Sequence, residues 1–103
     1  MRVAAMLERK AAEDRRRFMR HPVSFGAGLS NSNDRPAAPV TVVDLSTHGC
    51  GIEVSSHCEP GARVWLKLPG LESWPSRIVW SQGDRAGLAF DRPLHEAVVA
   101  RYA

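Results

Sequence analysis

The sequence predicts an all-β fold with short flanking helices: a six-stranded antiparallel β-barrel closed near its end by a C-terminal helix. Three observations carry this. From Val23 onward the hydrophobic period is two, over six short runs. Turn compositions such as EPG, PG and QGDR separate the runs. With 103 residues there is room for one modest core, and six short strands would leave two costly open edges unless the sheet closed on itself.

Taken in order, residues 1 to about 17 carry good helix formers (Ala4, Ala5, Met6, Leu7, Glu8, Lys10), and a short, mostly exposed helix is expected there. Pro22 ends any helix, so RRRFMRHP reads as a helix end and linker, with His21 a linker residue. The first strand is expected over Val23–Leu29, and SNSNDRPAAP (30 to 39) is a loop. VTVVDLS, then GIEVSS, follow as strands, the latter with Ile52 and Val54 inward and Glu53 and Ser55 outward. ARVWLKL places Val64, Leu66 and Leu68 on one face. SRIVWS and AGLAF complete the six. Leu94, Ala97, Val98 and Tyr102 fall near helical spacing after Pro93 and predict the terminal helix. Trp65 and Trp80 read as packing residues, with Trp80 able to border a site; Trp74, in a SWPS bend, reads as a surface aromatic.

Composition excludes several classes. At 44% hydrophobic and 24% charged the chain is ordinary for a globular domain. No apolar run approaches the roughly eighteen residues of a membrane helix, and the apolar stretch in MRVAAML is too short for a secretory signal. A cytoplasmic location without membrane insertion is therefore expected. The net charge of +3 is unevenly placed: residues 1–22 carry +4 and residues 23–103 carry −1. A basic N-terminal arm (1–22) thus precedes the barrel and helix (23–103), within one domain, and suits an anionic partner. Cys50 and Cys58 flank a strand, which at about 3.3 Å per residue holds them too far apart for a disulfide. With His48 and His57 beside them they show no CxxC or HxxxH spacing, so no metal site is expected. Cys50 shares parity with Ile52 and Val54, as a buried, inert thiol would. No nucleophile–base pair points to catalysis, and a non-enzymatic role is expected.

Two segments stand out together. Arg16-x-x-x-Arg20 lies just before the first strand, and Asp44-x-Ser46-x-x-Gly49 lies where the second strand turns into the third. By themselves Asp44 and Ser46 can form an Asx or Ser turn and Gly49 can sit at positive φ, with no ligand involved. As a pair, and with HPV after the arginines, RIVW at 77–80 and GLAF at 87–90, they resemble the PilZ domain family over nearly the whole chain. That resemblance implies a six-stranded barrel and binding of cyclic di-GMP, a bacterial second messenger, with no other cofactor. It implies that Arg16 and Arg20 hold phosphate and guanine, and that Asp44, Ser46 and Gly49 form the barrel-side half. Arg17 and His48 fall at variable positions; His48 is carried as a candidate that either stacks on a base or stays exposed. Arg15 completes an RRxxxR, which in this family goes with an intercalated dimer of the dinucleotide.

The residue types suit that chemistry. An arginine fork matches phosphate oxygens and the O6/N7 edge of guanine, and its plane can stack on a base. An ionised Asp44 can accept from the guanine N1–H and amino group, or orient an arginine. Ser46 offers a short hydroxyl, and Gly49 permits close approach. The mechanism expected is a disorder-to-order change of the arm, creating a surface for a separate downstream protein. Two other classes stand beside it. A PilZ-like adaptor would bind protein and no nucleotide, but members of that kind lack the arginines this chain retains. A nucleic-acid-binding barrel would want aromatics interleaved with the basic residues, and the arm offers only Phe18.

Overall fold

In the computed structural model, residues 19–32 and 37–103 are described. The expected helix over residues 1 to 17, with Arg15 and Arg16, lies outside them. Six strands follow in the chain: β1 (His21–Ser30), β2 (Ala38–Leu45), β3 (Gly49–Glu53), β4 (Arg63–Lys67), β5 (Ser73–Gln82) and β6 (Arg85–Phe90), then helix α1 (Glu96–Tyr102). All neighbours are antiparallel, and the sheet closes in the order β1-β2-β3-β6-β5-β4. The closing seam pairs Gly28 with Lys67, Leu29 with Leu66 and Ser30 with Trp65. This seam is three pairs long and joins the two strands that would otherwise be the outer edges of the sheet.

The turns follow their residues. Ala62 N–H donates to Glu59 O across Pro60–Gly61, and Leu71 N–H donates to Leu68 O across Pro69–Gly70. Gln82 and Arg85 face each other around Gly83–Asp84, with Gly83 at φ +60°. Since no non-glycine residue described has positive φ, this is a II′ hairpin, with glycine at the first central position.

Inside the barrel, Val42, Leu45, Ile52, Leu66, Leu68, Ile78 and Leu88 are at most 1% exposed. Each such side chain contributes about 1.5–3 kcal/mol through removal from water. The alternation in β3 and β4 is as the sequence predicts: Ile52, Val64, Leu66 and Leu68 are buried while Glu53, Ser55, Arg63 and Lys67 are exposed. Helix α1 covers one mouth. Leu94 and Val99 are buried, Tyr102 stacks on Phe25 with centroids 5.0 Å apart, and its hydroxyl donates to Pro69 O.

Four local expectations are corrected. His21 and Pro22 belong to β1, where they pair with Leu45 and Asp44, rather than to a linker. The SWPS segment is the start of β5, not a bend. Its Pro75 is tolerated because its carbonyl, and so the edge lacking an N–H, faces Asp91 just beyond the end of β6 (Asp91 N to Pro75 O, 3.0 Å). Trp74 is half-buried rather than a free surface aromatic: its Nε1 donates to Arg92 O at 2.9 Å and the Arg92 guanidinium lies 4.3 Å from its ring centroid. The terminal helix starts at Glu96 because His95 caps it, Nδ1 accepting from Ala97 N at 3.0 Å. Ala97 is consequently exposed and Val99 takes the buried position.

Candidate functional site

The turn between β2 and β3 is held by one hydroxyl. Ser46 Oγ accepts from His48 N–H and Gly49 N–H, both at 3.2 Å, and Ser46 N–H donates to Gly49 O at 2.9 Å. Ser46 is only 3% exposed. Its hydroxyl is thus engaged within the turn it shapes. The turn's other carbonyls are also held: Phe90 N–H donates to His48 O at 2.8 Å and Leu94 N–H to Thr47 O at 2.7 Å. His48 itself is exposed, with Nδ1 2.8 Å from Thr47 Oγ1.

Gly49 does not have positive φ, so turn geometry does not explain it. Contact does. A Cβ there would fall onto the Leu88 carbonyl of β6, backbone against backbone. Gly49 is required by the seam between β3 and β6.

Asp44 lies on the outer wall of the barrel. Strand parity from Val42 would turn it inward, but the β2–β3 register shifts between Val42 and Asp44. The extra residue, Val43, lets Val42 and Leu45 both fill the core while Asp44 faces out. Its Oδ1 accepts from Gly51 N–H at 2.9 Å and from Arg20 Nη1 at 2.5 Å. The carboxylate rests over Gly51, where a Cβ would come within 2.5 Å of Oδ2. Arg20, the last arginine of the motif before β1, is therefore joined to the first residue of the motif at the end of β2, 24 positions away.

The same arrangement repeats across the next two strands. Gly51 pairs with Gly87 on β6, and Gly87 pairs with Trp80 on β5. The β5–β6 register shifts between Ile78 and Trp80, so Val79 and Trp80 both turn outward, 51% and 44% exposed. Trp80 is thus not a core residue. Its indole lies over Gly87, where no Cβ could fit. One rung of the outer wall therefore reads Asp44, Gly51, Gly87, Trp80. Both glycines are buried, Gly51 beneath the Asp44 carboxylate and Gly87 beneath the Trp80 indole, so the rung carries a carboxylate–arginine pair at one side and an exposed indole at the other. Gly51 and Gly87 are additions to the residues singled out from the motifs. Glycine in a strand interior was the available signal, since it marks close backbone approach or a bulge.

Beneath the site lies Cys50, fully buried. Its thiol is pushed up from 9.0 to about 12, chiefly by burial, further by the Asp44 charge, and opposed by Arg20. Cys50 and Cys58 are both free. An acid whose pKa is higher folded than unfolded stabilises the fold below the unfolded value and loses that contribution as pH rises from about 9 towards 12. The melting temperature should accordingly fall between pH 9 and 11, and fall less steeply in Cys50→Ala. Equal slopes in the two proteins would show that the thiol ionises freely in the fold. Iodoacetamide at pH 8 should likewise leave Cys50 unmodified until the protein is unfolded.

Comparison with known proteins gives the family and the fold. The family model of the PilZ domain matches residues 14–102, so the chain belongs to the PilZ domain family. Among solved structures, the crystal structure of the PilZ domain of CeSA from a cellulose-synthesizing bacterium is similar, with a TM-score of 0.57 at 18% identity. The match covers 78% of this chain and 85% of that one. It supports the barrel fold. No curated protein matches the chain. No described helix is long and apolar enough to cross a membrane.

Proposed function

We propose that this protein is a receptor for cyclic di-GMP without enzymatic activity, binding the dinucleotide on the outer wall of the barrel between Asp44 and Trp80. The observation that carries this reading is the contact of Arg20 with Asp44, which joins the arginine motif to the turn motif on the same rung as the exposed Trp80. Arg20 and Arg16 supply forks for phosphate and for the guanine O6/N7 edge. Asp44 accepts from guanine N–H groups and holds the Arg20 guanidinium in place. Gly51 and Gly87 let the Asp44 carboxylate and the Trp80 indole lie close against the sheet, and the outer face of that indole offers a surface for a base to stack on. Ser46 and Gly49 act by shaping the turn and seam that carry Asp44. His48 stands at the rim.

Binding draws the basic arm that precedes β1 onto the barrel and so creates a surface that a separate downstream protein reads. Isothermal titration calorimetry with cyclic di-GMP tests the reading. Absence of heat at micromolar protein and low salt would leave the adaptor role, protein contact without nucleotide, in its place.

Arg15 bears on stoichiometry. Two stacked ligands bring four phosphate charges, which one further arginine helps to neutralise. We expect two cyclic di-GMP molecules per chain, an intercalated dimer, and a fall towards one in Arg15→Ala. Saturation of the unmutated protein at one ligand would refute the dimer and leave the receptor assignment intact.

A further inference from the structure

We propose that Arg77 on β5 is a further phosphate contact, closing the site on the side opposite Arg20; this rests on the receptor reading above. Arg77 lies between buried Ser76 and Ile78 and so points out of the barrel. Its register partner on β6 is Ala89, and the partner of Ala89 on β3 is Gly49. This rung lies alongside the one that carries Asp44, Gly51, Gly87 and Trp80. Arg77 therefore borders the same small-residue stretch of wall as Trp80, three strand spacings, or about 14 Å, from β2.

The charges around it leave a surplus. On the β2 side, Arg20 is matched by Asp44 at 2.5 Å. On the far side, Arg77 sits directly opposite Arg63 on β4. Like charges facing each other across a strand pair are destabilising. Arg63 is relieved by Asp91 at 2.7 Å. Among the described residues no ion pair involves Arg77. Its exposed fork thus has no ion-pair partner and lies beside the uncharged Ala89, on the same strand as the exposed Trp80 indole. An anionic ligand stacked on that indole would satisfy it, and a bound phosphate would also relieve its repulsion with Arg63.

Calorimetry with cyclic di-GMP on Arg77→Gln and Arg77→Lys tests this, with Lys67→Ala, an exposed cation of β4 on neither of these rungs, as control. Arg77→Gln should weaken binding about tenfold and reduce its salt dependence, Arg77→Lys should fall between it and the parent, and Lys67→Ala should stay within about twofold. The melting temperature of Arg77→Gln should hold or rise, since a repulsive pair is removed. Parental affinity in Arg77→Gln, with binding still lost in Arg20→Ala, would overturn the Arg77 assignment alone. Absence of binding to the parent protein would overturn the receptor reading and this inference with it.

Discussion

Arg20→Ala is expected to weaken cyclic di-GMP binding by roughly ten- to hundredfold while the barrel melts as before. Charge-assisted hydrogen bonds of this kind are worth about 1.5–3 kcal/mol, which converts to that range. The fold should survive because Arg20 precedes β1 and half of its side chain is exposed. The loss has a second source. Without Arg20 the Asp44 carboxylate, one-third exposed, faces an anionic ligand with its ion-pair partner gone. Arg20→Lys should recover only part of the affinity, since an ammonium keeps the charge but cannot fork. Arg16→Ala should resemble Arg20→Ala, and Arg17→Ala should change little. Equal losses at Arg17 and Arg16 would show that the motif register is wrong.

Gly49→Ala should have the largest effect on stability. The added methyl would meet the Leu88 carbonyl, a backbone atom that no rotamer change can move. Cys50 pairs with Leu45 on one side and Leu88 on the other, and Ser46 pins the preceding turn, so neither strand can step aside. Forcing a group into such a place costs roughly 3 kcal/mol, or on the order of 15 °C in melting temperature for a domain of this size. Gly51→Ala is the informative contrast. There the clash is with the end of the Asp44 side chain, which can swing away. Its melting temperature should stay within a few degrees while ligand affinity drops, because Asp44 leaves both Gly51 N–H and Arg20. Circular dichroism melts and calorimetry on the two variants separate the roles. A parental melting temperature for Gly49→Ala would show that the seam can open without cost.

The sequence made most of the fold legible because the physics there is local. Period-two runs placed six strands, and Pro–Gly and Gly–Asp pairs placed the turns between them. The ends were harder. His21–Pro22 and Trp74–Pro75 were read through their prolines as breaks, yet both prolines lie within strands, and Pro75 sits where a missing N–H costs little in the ladder. The helix start moved because a capping histidine is a weaker signal than the usual Ser, Thr, Asp or Asn.

The site divides along the same line. From sequence alone came Arg20, Asp44, Ser46 and Gly49, their order and spacing, and the kind of ligand those groups suit. Which of them touch, and which only support, was decided in three dimensions. Parity assigns Asp44 to the face of Val42 and Trp80 to the face of Ile78, both in the core. Two register shifts, one in β2 and one in β5, turn each outward. A bulge depends on how a strand pairs with its neighbour, so no single strand announces it. Gly51 and Gly87 then became meaningful as partners across β3 and β6, each the bare place on which one of those re-aimed side chains lies. The residue types are local chemistry and were written in the chain; the wall that assembles them depends on pairings between residues far apart in it, and only the closed barrel fixes those.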